Sequence, residues 1–155
     1  MMMSLDPRLI PAAAGPEANS VSGRHERLRF TDFRFERTSG GRCSAEVELE
    51  WSEGVRVRGQ SSGESSATVD LRVAAEAALR AIERFSDGAL VFELVGIKAM
   101  RAFDANVIIV SVVNHGAGPK KLVGSCLVEA DPTRGAVVAV LSATNRVLGN
   151  FISTR

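Results

Sequence analysis

Gly59-Gln60-Ser61-Ser62-Gly63 matches the Gly-x-Ser-x-Gly pattern, in which a nucleophilic serine sits on a sharp turn between a strand and a helix. Such a serine needs a histidine base held by an acid. The chain has two histidines, His25 in a Pro-, Ala-, Gly- and Ser-rich leader and His115 in a turn, and the next helical pattern begins several residues after the motif. The stretch therefore reads as a polar loop. Asn114 to Lys121 brings glycines, a proline and two lysines together in a form that suits a phosphate or carboxylate; the same residues also make an ordinary hairpin connection. Cys43 and Cys126 are too few for a disulfide framework and lack metal-type spacing, and both fall at strand positions where a small buried apolar residue is usual. Neither a catalytic nor a metal-ligating set emerges, and no cofactor is expected. Asp104, Asn106 and Asp131, at element ends, are the candidate ligand-binding residues. A helix start such as Asp131 exposes unpaired N–H groups that can receive a carboxylate; alternatively, Asp131 caps the helix with its own side chain.

The elements that must position these residues follow from hydrophobic period. Residues 1–26 have no apolar periodicity and read as a disordered arm. From Arg27, Leu28, Phe30, Phe33 and Phe35 mark a strand whose alternation slips at Thr31 and Asp32, the sign of a bulge. Cys43, Ala45, Val47, Leu49 and Trp51 alternate with Ser44, Glu46, Glu48 and Glu50, giving one buried and one wet face. Val55 to Arg58 return as a hairpin strand, which sets Arg56 and Arg58 beside the glutamates, with Arg29 and Arg34 available from the first strand. Opposite charges across strands favour a self-neutralising surface. A polar loop is expected from Gln60 to Thr68, then a helix from Val69 to Phe85 with Arg72, Glu76, Arg80 and Glu83 on its wet stripe.

The plan then repeats, with strands at Leu90–Phe103, Val107–Val113 and Lys120–Val128, a short connection at Asp104–Asn106, and a helix from Asp131 and Pro132 to about Leu148, stopping before Gly149. Laying Leu79 on Leu141 pairs Arg72 with Arg134, Ala77 with Ala139, Ala81 with Ala143 and Arg84 with Arg146. Alanines match easily in alanine-rich helices, so the arginines and strand order carry more weight. The expected fold is α+β, a tandem β-β-β-α repeat of antiparallel sheets packed with two helices over residues 27–149, followed by a tail at 150–155. In the second half Val107, Ile108, Ile109, Val110, Val112 and Val113 are apolar on both faces, and such a strand must be covered on both sides. Either a second subunit covers it across a two-fold axis, or the first half does so within one chain.

Three segments carry a family resemblance. Phe103-Asp104-Ala105-Asn106-Val107 looks like the Thr-Asp-Ala segment, Asp131 to Arg146 resembles the closing helix, and Ala75 to Ile82 is similar to the Val-Asp-Ala-Ala helix of the C-terminal regulatory (allosteric, dimerisation) domain of 2-isopropylmalate synthase and citramalate synthase. The resemblance covers about Arg27 to Gly149. It implies a duplicated β-β-β-α fold, dimerisation and a small-molecule pocket near the helix starts. The synthases' catalytic barrel is absent, so their activity does not carry over. The family's Gly-x-Gly-Pro-Val-Asp approach to the first helix is also absent, and Glu76 stands where its Asp would fall.

Composition narrows the functional classes. The 155 residues are 45% hydrophobic and 24% charged, and 19 Lys+Arg against 18 Asp+Glu leave a net charge of +1. That balance argues against a general polyanion binder. The sequence shows no uninterrupted signal core and no run of about eighteen apolar residues, so a cytoplasmic chain without a membrane partner is expected. The expected function is a non-catalytic homodimeric module that senses a small metabolite or docks to a partner enzyme. A ligand-free interaction module is the alternative, followed by a nucleic-acid binder using Arg29, Arg34, Arg56 and Arg58.

Overall fold

The structure is a computed structural model that describes residues 28–153 apart from 53 and 117. Strands β1 (Leu28–Arg37), β2 (Arg42–Trp51) and β3 (Val55–Glu64) precede helix α1 (Ala67–Phe85); β4 (Phe92–Ala102), β5 (Ala105–Asn114) and β6 (Lys120–Val128) precede α2 (Pro132–Ser153). Each strand triplet forms an antiparallel meander, so the chain is the expected α+β tandem of β-β-β-α units. Helix α1 packs on β2 and β3 and also touches β4 and α2, while α2 packs on β5 and β6. The apolar phase of β2 faces α1, burying Cys43, Ala45, Val47 and Leu49; Ile108, Val110 and Val112 of β5 face α2 in the same way. Edge-to-face contacts join Trp51 to Phe85 and Phe85 to Phe151, tying β2 and both helices together.

The two units match in detail. The β1–β2 register slips between Phe30 and Asp32, as the broken alternation predicts, and β4–β5 slips at the equivalent place, between Leu94 and Gly96. Gly59, opposite Val47, and Gly124, opposite Val110, are the points where each helix meets its sheet. A Cβ on Gly59 would lie 2.2 Å from the Ala77 carbonyl oxygen and 2.2 Å from the Ala81 nitrogen; on Gly124 it would lie 2.3 Å from the Ala139 oxygen and 2.5 Å from the Ala143 nitrogen. The repeated alanines thus share one role, allowing helix backbone to rest on strand backbone. The repeated arginines do not: Arg72 pairs with Glu76, whereas Arg134 lies 4.6 Å over the Phe30 ring.

A second correspondence is reciprocal. In the first unit Gly63 on β3 receives Val69 and Val73 of α1, with a hypothetical Cβ 3.2 Å from Val69 Cγ1 and 3.3 Å from Val73 Cγ2. In the second, Val128 on β6 lies over Gly135 of α2 at 3.1 Å. At the Gly63/Val128 and Val73/Gly135 positions glycine and valine exchange places between strand and helix, with Val69 as a further neighbour of Gly63 in the first unit.

Several boundaries differ from the sequence expectation. The segment expected as a loop, Gln60 to Thr68, is strand through Glu64 and helix from Ala67. Its small and polar residues have weak strand propensity, but they pair along β2 in unbroken register, and the helix above closes on Gly59 and Gly63. Helix α2 does not stop at Leu148; it passes through Gly149 to Ser153. Burial of Leu148 and Ile152 and the Phe151–Phe85 contact outweigh the roughly 1 kcal/mol that a helical glycine costs. Ala105 and Asn106 belong to β5, leaving Phe103 and Asp104 as a two-residue turn. The expected arm at 1–26 lies outside the described residues. Helix α2 is long and apolar enough, by length and composition, to cross a membrane, a test that the core helix of a soluble protein also passes; 44% of that stretch is buried in the fold.

Candidate functional site

The outward face of β1–β3 neutralises itself. Arg29 pairs with Glu50 at 2.6 Å, Arg58 with Glu48 at 3.1 Å, Arg56 with Glu50 at 3.6 Å and Arg34 with Asp32 at 3.5 Å. A hydrogen bond from Thr31, aided by Arg58, holds the Glu48 carboxyl below the usual carboxylate range. All four arginines considered for nucleic-acid contact are thus engaged with carboxylates of their own sheet.

A polar cleft of about 800 Å³ lies where this sheet meets the wet stripe of α1. Arg34, Glu46, Ser61, Ser62, Glu76 and Arg80 are among the residues lining it. It adjoins smaller hollows of about 430 and 360 Å³ further along α1, the second walled by Phe92, Glu93 and Leu94 of β4. Arg80 borders all three, so the hollows form one trough along α1 between the β3 and β4 edges. Two of the carboxylates in it are held: Glu46 accepts from Gln60 at 3.1 Å, and Glu76 accepts from Ser61 at 3.3 Å and pairs with Arg72. Among the described residues the side chains of Arg80 and Arg84 make no hydrogen bond or ion pair, and Arg80 is the one of the two that borders all three hollows. An ungripped guanidinium suits the carboxylate of a small ligand, and the neighbouring hydroxyls and glutamates suit its polar remainder.

A separate network sits at the start of α1. Asp70, buried in the first turn, receives Arg37 Nη2 at 2.7 Å, Arg37 Nε at 3.1 Å and Ser65 Oγ at 2.8 Å. Burial pushes its carboxyl upward, but hydrogen bonds from Arg37, Ser65 and the Cys43 thiol prevail and hold it below the usual range. Burial and the bond to Asp70 push the Cys43 thiol up, and burial together with Glu129 does the same to Cys126, so neither is activated as a thiolate. Sequence reasoning missed this network. An acidic residue in the first turn of α1 was visible, but its partner Arg37 lies 33 positions away.

The sequence candidates are placed apart from the trough. Asp104 is exposed in the β4–β5 turn with φ +61°, beside Phe103 at +53°. Asn106 is exposed on β5 between Arg101 and Val128. Asp131 caps α2 itself: its Oδ1 accepts from the Thr133 N–H at 3.0 Å and the Thr133 hydroxyl at 2.7 Å. Among the described residues no hydrogen bond joins the three. Ser61, the nucleophile position of the Gly-x-Ser-x-Gly pattern, lies in β3 and donates to Glu76, while His115 contacts Glu93 at 3.0 Å. In the 114–121 segment Asn114 Oδ1 accepts from the Gly116 N–H, and both lysines belong to β6. No cluster of three His, Cys, Asp or Glu side chains fit to hold a metal occurs among the described residues. No family model and no curated protein matches the chain.

Proposed function

We propose that the chain is a non-catalytic homodimeric regulatory or binding module that takes a small charged metabolite, an amino acid or 2-oxo acid, in the trough along α1, or docks there to a partner enzyme. The trough carries this reading: Arg80 is ungripped while Glu46 and Glu76 beside it are held by Gln60, Ser61 and Arg72. A ligand carboxylate on Arg80, with its other polar groups on Ser62 and Glu46, fits that arrangement. The duplicated β-β-β-α plan agrees with the resemblance to the 2-isopropylmalate synthase regulatory domain, which is part of the same proposal, as is a cytoplasmic location.

Thermal-shift measurements against branched-chain amino acids and 2-oxo acids test it. A true ligand at a hundred times its Kd adds about 2.7 kcal/mol of stability, and Arg80→Ala should remove that shift while leaving the ligand-free melting temperature unchanged. If none of these compounds shifts the wild type, the ligand-free interaction module becomes the better reading. A specific observation favours that second reading: the outward face of β4–β6 exposes Met100, Val123 and Leu127.

A further inference from the structure

The duplication supplies an internal control for the outward faces. Positions that carry Ser44 and Glu46 on β2 carry Val107 and Ile109 on β5; those of Arg58 and Ser62 on β3 carry Val123 and Leu127 on β6; and that of Glu36 on β1 carries Met100 on β4. The backbone plan is the same, and only the chemistry presented to solvent changes. Val123 is 67% exposed, Leu127 63% and Met100 40%. Among the described residues, the first half leaves these side chains uncovered. At the end of this face, in the β4–β5 turn, Phe103 is fully exposed and held at φ +53°, a backbone region that disfavours bulky residues. The equivalent turn of the first unit uses Ser39, Gly40 and Gly41 instead, with Gly41 at +81°.

We propose, resting on the dimeric reading above, that this face is closed by the same face of a second copy, with the two-fold axis running along the strands. Three strands about 4.8 Å apart and about 30 Å long offer roughly 420 Å² in projection. An aromatic adds about 200 Å², which brings the patch to the lower end of the roughly 600–1,000 Å² per partner in a stable interface. Charge selects the axis. Outward rows across the sheet are Glu93–Val113–Lys121, then Gly96–Ser111–Val123, then Lys98–Ile109–Ser125, then Met100–Val107–Leu127; Glu93 already meets His115 at 3.0 Å within its own chain. An axis across the strands at the centre of these four rows sets Glu93 against Met100 and Lys121 against Leu127, and joins no opposite charges. An axis along the strands sets β4 against the partner's β6, so each Glu93 meets a Lys121, each Lys98 a Ser125 and each Met100 a Leu127. Only this axis joins opposite charges. Both Phe103 turns come to the same end, each beside the partner's β5 and β6.

Light scattering of the full chain at micromolar concentration is expected to show a dimer, and Val123→Lys with Leu127→Lys a folded monomer. Phe103→Asn, which suits the left-handed turn, should weaken the dimer at least tenfold without lowering the melting temperature of the fold. Glu93→Lys and Lys121→Glu should each weaken it about tenfold, and an equimolar mixture of the two should form heterodimers, because each lysine pair then faces a glutamate pair. A monomeric wild type overturns the dimeric reading itself; if the double lysine variant then melts early, cover comes from elsewhere in its own chain. A wild-type dimer untouched by the lysine pair keeps the dimeric reading and overturns this surface. Weakened single variants that fail to form heterodimers overturn the axis.

Discussion

Replacing Gly59 by alanine adds one methyl group at the place where α1 rests on β3. Its Cβ would meet the Ala77 carbonyl oxygen and the Ala81 nitrogen, both at 2.2 Å. A comfortable carbon–oxygen contact is about 3.3 Å, so the helix must retreat by about 1 Å. Neither obstructing atom belongs to a side chain that can rotate away. A radial gap of that size forfeits a quarter to a half of the dispersion well for each contact, and Val73, Ala74, Ala77, Ala78 and Ala81 all lose contact together. Overpacking costs about 1–3 kcal/mol, and the rigidity of the obstruction places this substitution near the top, less the small gain from a stiffer strand residue. The net loss expected is about 2–3 kcal/mol, or roughly 10 °C in melting temperature for a domain of this size. Gly96→Ala is the control, since its Cβ would meet nothing within 4 Å; it should stay within about 0.5 kcal/mol of wild type. Urea and thermal melts followed by circular dichroism measure both. If Gly59→Ala and Gly96→Ala prove equally stable, the direct backbone contact is not what sets the helix on the sheet.

Two further outcomes follow from the same packing. Gly63→Val and Val73→Gly should each destabilise, and the double variant should recover about 1–2 kcal/mol of coupling in a denaturation cycle, because Val128 and Gly135 already hold that exchanged arrangement. Asp70→Asn should cost about 1–2 kcal/mol at neutral pH, below the usual range for a charged hydrogen bond because Arg37 is largely exposed. The folded carboxyl is held below its unfolded value of about 3.9, so its contribution is present above that pH and disappears as pH falls through the folded value. Wild-type stability should therefore drop below about pH 4, and the Asn variant should follow a flatter curve there in pH-resolved melts.

The sheets and helices were legible because their period is local. The alternation from Cys43 to Trp51 sets β2, the slip at Thr31 sets the bulge, and Pro132 after Asp131 sets the start of α2. Strand β3 beyond Arg58 was not, since Gln60, Ser61 and Ser62 have loop-like composition and are strand because β2 pairs with them, while α1 closes on Gly59 and Gly63 to either side. The alanine matches between the helices were legible as identities but not as a cause, because the glycines they accommodate lie on other elements. The trough and the Asp70 network depend on residues brought together across the sheet and helix, Arg34 with Arg80 and Arg37 with Asp70. No window of sequence contains either pair.

The inward contacts leave the two units little room to differ. Each helix sits at a strand glycine, and where a valine moves from helix to strand a glycine moves the other way. Such compensation is what a close-packed interior demands. The outward faces carry no such constraint, yet they differ systematically: paired charges on β1–β3, aliphatic side chains on β4–β6, and a phenylalanine at the turn where the first unit has glycines. Monomer packing explains neither the aliphatic face nor the left-handed Phe103, since both are solvent-exposed in one copy. A surface that costs solubility and a turn that costs backbone strain are retained together at the same end of the same sheet. An interface that buries both accounts for them with one cause, and the neutral face of β1–β3 accounts for why the association would stop at two copies.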